Sequence, residues 1–313
     1  MELFALTVAG VFTFRLARKL SGDPYAASLA AVIFIFSPVV RVLIAAHPRP
    51  AAAAVLLPFL LLRFYRLTDL ERDGDPHRRR VVIFLAAASL AFAGVLYPGF
   101  AVAANFLLWL VLLIGYIMDR RRRWDIWSTP ILGWFWASAV SILLYLPAWW
   151  WRRLHPGALG GALSSLSING ADFIDLWQPS PYYAGMGVCV MALAGLNLTR
   201  SYRQQARLWF LVSGFMMWLS LGSRFMLGGR YIWWVPALNR GLSKIPLYTD
   251  VEPIFYAASA QLALGLLSAY GFAALLTRVP PLKVRWVRPL LTAILAFLII
   301  GDLLRVQPLF PFP

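Results

Sequence analysis

The sequence predicts an all-α, polytopic helical membrane protein, and three observations carry that prediction. Of 313 residues, 61% are hydrophobic and only 13% are charged, more apolar surface than a water-soluble core of this size can hide. The apolar residues form near-continuous runs of roughly twenty, the length of helix that crosses a hydrocarbon core, not the alternating ten-residue strands of a barrel. Short basic loops separate the runs, as topology is written in membrane chains. Such runs must be helices, because every backbone N–H and C=O in lipid needs a partner within its own segment.

Ten runs qualify as spans: residues 2–16, 25–45, 50–66, 81–97, 99–118, 129–148, 183–199, 207–222, 254–276 and 288–305. The first runs into Arg15, Arg18 and Lys19. The second is Ala-rich and contains Phe36-Ser37-Pro38, and the third follows His47-Pro48. The fourth and fifth meet at Tyr97-Pro98-Gly99. The sixth closes on Pro147 and the Trp149-Trp150-Trp151 cluster. The last four alternate with Arg-bearing loops. No tandem repeat, low-complexity linker or soluble module interrupts them, so residues 1–313 read as a single transmembrane domain.

The loops set the orientation. Twenty basic residues lie in one set, around Arg15–Lys19, Arg63–Arg80, Arg120–Arg123, Arg200–Arg207 and Arg278–Arg288, and nine lie in the other. The richer set is expected in the cytoplasm. The net charge of +16 is therefore a signal of topology and of anionic lipid headgroups, and nucleic acid is excluded as a partner. In this orientation the first span enters from outside. That predicts either a short translocated N-terminus or an odd number of spans upstream. The single cysteine, Cys189, excludes a disulfide framework or a cysteine metal site within one chain.

Function tends to sit where loops are long, and two outer loops are, about 148–182 and 223–253. The first carries Trp150, Arg152, Arg153, His155, the acid pair Asp172 and Asp175, and Trp177. Tryptophans followed by arginines at a span end form either an interfacial belt or a groove for a phosphate-bearing lipid, with Arg forking onto phosphate and Trp faces packing on isoprenoid or sugar. Asp172 and Asp175 share a face if that stretch is helical. They serve either as helix caps or as a general base and a ligand for a divalent cation. The second loop carries Arg230, Lys244, Asp250 and Glu252, and reads as an amphipathic interfacial helix broken by Pro236 and Pro246. His47 and His155 both fall on the outer side, too few to specify a metal site. Polar residues inside spans are Arg41, Asn105, Asn197, Gln261 and Asp302. Asp302 lies near its span's end, three residues from Arg305, and reads as a local pair. No Walker motif, dinucleotide fingerprint or nucleophile elbow occurs.

Residues 13–66 combine a basic span end (Arg15 to Lys19), Gly22, an Ala-rich span containing Phe36-Ser37-Pro38, an outer His47, and a span containing Pro58. This pattern, with Leu96-Tyr97-Pro98-Gly99, Leu144-Tyr145-Leu146-Pro147 and Ile245-Pro246-Leu247-Tyr248, resembles bacterial integral-membrane glycosyltransferases of the type-C (GT-C) superfamily. The resemblance implies the bacterial inner membrane, a polyprenyl-phosphate-linked sugar as donor, and transfer at the outer face. It also implies a catalytic acid in a first outer loop upstream of this pattern. Only Glu2 precedes the first span, so that role has no residue to fall on. Asp172 or Asp175 is the substitute base, with Arg152, Arg153 and Lys244 on phosphate. Lacking that upstream acid, the chain alone is expected to show no measurable sugar transfer, as a C-terminal part, a degenerate copy, or a non-catalytic membrane subunit whose partner helices cover the first spans. Transfer abolished by Asp172→Asn or Asp175→Asn would instead place the base in the loop that carries them.

The charge bias fixes a test of orientation. Cysteines introduced at Arg121 and Arg203 should resist an impermeant thiol reagent in intact cells, and one at Ser165 should react. Reaction at Arg121 but not at Ser165 would reverse the topology.

Overall fold

The computed structural model describes residues 2–46, 55–66, 76–96, 98–118, 124–154, 180, 183–198, 203–222, 225–228, 230–232, 238–242, 244, 251–278 and 286–305. These residues are almost all helical. In chain order the helices are α1 (Glu2–Ser21), α2 (Pro24–Phe36), α3 (Pro38–Ala46), α4 (residues 55–66), α5 (Pro76–Leu96) and α6 (Pro98–Met118). They continue with α7 (Trp124–Leu154), α8 (Met186–Leu198), α9 (Arg203–Ser220), a short α10 (Leu238–Leu242), α11 (Pro253–Arg278) and α12 (Val287–Leu304).

Local chemistry explains the breaks. Gly22, at φ +72°, closes α1 with its N–H on the Arg18 carbonyl, 2.9 Å away, a left-handed C-cap that glycine adopts without strain. Asp23 then caps α2, accepting from Tyr25 N at 2.8 Å and Ala26 N at 3.0 Å, with Pro24 at the first helical position. The expected span 25–45 is not straight. It bends by 56° between α2 and α3. Pro38 has no N–H and forces Ser37 out of the helical region, to ψ 137°. The Ser37 carbonyl restarts the ladder by accepting from Arg41 N at 3.1 Å.

By length and composition, α6, residues Pro130–Pro147 of α7, α11 and α12 can each cross a membrane, and the bent α2–α3 pair makes a fifth span. The other expected spans are helical but fall short. α1 carries Arg15, Arg18 and Lys19 in its later turns, α9 begins with Arg203 and Arg207, and α8 has only 13 residues.

α11 is the axis of the bundle. Along its apolar window 89% of residues are buried, against 17% for α12, because α8, α9, α2 and α6 wrap it. The approach of α8 is the tightest. A Cβ on Gly195 would lie 2.7 Å from the Leu267 carbonyl oxygen and 3.0 Å from Gly271 N, and a Cβ on Gly271 would run into the Met191 carbonyl. Only hydrogen fits at either position, so the two backbones touch. Ser268 Oγ donates to the Val188 carbonyl at 3.1 Å and Gln261 Nε2 to the Tyr183 carbonyl at 3.0 Å. The contacts ascend both chains together, so α8 and α11 run parallel. Elsewhere Asn105 Oδ1 on α6 accepts from Trp134 Nε1 and Ser138 Oγ on α7, at 2.8 and 2.9 Å. That pairs polar groups where lipid offers none.

The second long loop corrects the expectation of an amphipathic helix around Arg230. Met226–Leu227 (β1) and Arg230–Tyr231 (β2) form a hairpin, with Leu227 opposite Arg230. Gly228-Gly229 sits between them, and Gly228 takes φ +61°. A positive φ at this position matches strand twist, and glycine supplies it without strain.

Candidate functional site

Two helix termini meet at the end of the bundle away from Arg203 and Arg288: the C-terminus of α12 and the N-terminus of α8, with Gln261 of α11 beside them. Each terminus leaves backbone groups that the helix cannot satisfy, and in a membrane protein side chains must satisfy them. Asp302, in the last turn of α12, does this for α8. Its Oδ2 accepts from Gly187 N at 3.2 Å and its Oδ1 from the Tyr183 hydroxyl at 2.8 Å. That hydroxyl in turn accepts from Met186 N at 3.1 Å. A carboxylate at a helix N-terminus also complements the positive end of the helix dipole.

Tyr183 links the elements. Its hydroxyl joins α12 to α8, its carbonyl receives the Gln261 amide of α11, and its N–H reaches the Ser180 carbonyl at 3.1 Å. Gly185, at φ +85°, lets the chain turn into α8; a Cβ there would stand 2.8 Å from Leu303 Cδ2. On the other side of α12, Arg41 of α3 places Nη2 3.0 Å from the Leu303 carbonyl oxygen. A cation on a C-terminal carbonyl again matches the dipole. Gln261 is 2% exposed, and its Oε1 has no hydrogen-bond partner among the described residues. The site is thus a half-buried cation, a carboxylate, a phenol and an amide, held on backbone groups at one end of the bundle.

The residues named from sequence divide as follows. Asp172, Asp175, Trp177, His47, His155 and Asp250 lie outside the described residues. Trp150 projects from α7, 60% exposed, and Arg152 and Arg153 belong to the last turn of that helix. Arg230 is exposed on β2, Lys244 is exposed in a turn after α10, and Glu252 is partly buried just before α11. Asp302 does not act through the expected local pair. Its carboxylate is engaged with Tyr183 and Gly187, and only its backbone carbonyl meets Arg305 N, at 3.4 Å. Sequence reasoning passed over Tyr183. The available signal was an acid inside an apolar helix, which is costly enough to demand a partner. Among the described residues no group of three His, Cys, Asp or Glu comes together to hold a metal. No protein-family model matches the chain, and no curated protein or solved structure matches it.

The Tyr183–Asp302 bond should be measurable as a coupling. Tyr183→Phe and Asp302→Asn are each expected to destabilise the folded protein, with an interaction energy of about 1.5 kcal/mol or more in a double-mutant cycle, the scale of a hydrogen bond to a charged group. Reversible unfolding in mixed micelles reads it. Strict additivity would mean that Tyr183 and Asp302 do not share this hydrogen bond.

Proposed function

We propose that the chain is a ten-span membrane glycosyltransferase of the type-C kind, working at the outer face on a polyprenyl-phosphate-linked sugar. What supports the reading is the site built around Tyr183 and Asp302. It stands at the end of the bundle away from Arg203 and Arg288, carries the half-buried Arg41, and fastens the chain shortly after Asp172 and Asp175 in sequence. In this reading one of those carboxylates deprotonates the acceptor hydroxyl. Arg152, Arg153 and Lys244 stabilise the charge that develops on the leaving phosphate. The bacterial inner membrane is its place.

One observation favours a second reading, a non-catalytic membrane subunit. Asp302 and Tyr183 spend their described hydrogen bonds on capping helix ends, which is a structural use. The two readings part in one assay. Protein reconstituted in liposomes is given polyprenyl-phosphate glucose or polyprenyl-phosphate mannose, and released polyprenyl phosphate is measured. The enzyme reading expects release that falls about 100- to 10,000-fold in Asp172→Asn or Asp175→Asn. No release from either donor by folded protein would leave the subunit reading.

A further inference from the structure

We draw no further inference here: the strongest candidate, the Gln261 side chain buried between α8 and α11 with its Oε1 lacking a hydrogen-bond partner among the described residues, belongs to the site already described, and that oxygen is sealed within the bundle, out of reach of any ligand.

Discussion

The contact on which the bundle depends is backbone against backbone, where Gly195 of α8 meets Gly271 of α11. In lipid, helices gain nothing by hiding apolar side chains from each other, so close packing and interhelical hydrogen bonds must hold them. Two glycines facing each other permit that closeness. Ser268 can then reach the Val188 carbonyl and Gln261 the Tyr183 carbonyl. These contacts follow one line up α8 and α11 and end at Tyr183, where the polar site begins. The Tyr183–Asp302 site is thus the upper end of the seam that the glycines set.

The two ends of the bundle solve opposite electrostatic problems. At the Tyr183 end, charges match the helix termini they touch: Asp302 caps the N-terminus of α8 and Arg41 sits on the C-terminal carbonyl of α12. Both side chains bond to backbone at a helix terminus within the protein. At the other end Arg203 and Arg207 oppose the dipole of their own helix and remain exposed.

Much of the fold was legible because hydropathy and helical length are local properties. Most described residues of the expected runs are helical, and 254–276 falls within Pro253–Arg278; four helices and the bent α2–α3 pair, not all ten runs, are long and apolar enough to be spans. The bend after Phe36 was signalled by Ser37-Pro38 and underweighted, because the apolar run continues through it. The hairpin at Met226–Tyr231 was signalled by Gly228-Gly229, but Arg230 and Tyr231 also suit an interfacial helix, and two-residue strands leave almost no periodicity. The site was half legible. Arg41, Gln261 and Asp302 stood out as polar groups in apolar runs. Their partners are backbone groups and a tyrosine 119 positions away from Asp302, and no local pattern announces such a pairing. For Asp302 the nearby Arg305 offered a simpler explanation that the geometry of the helix end does not use.

The glycine contact is tested most directly by placing one side chain at two glycines. Gly271 has backbone on every near side of a Cβ, whereas Gly301 of α12 has nothing within 4 Å. Leucine at either position gains similar helix propensity, so any difference reports packing. Reversible unfolding in mixed micelles should show Gly271→Leu destabilised by about 3 kcal/mol or more, at or above the upper range for overpacking, with Gly301→Leu close to the parent. Equal stability of the two variants would mean that α8 and α11 do not meet at these glycines, and the seam that carries Tyr183 would lose its basis.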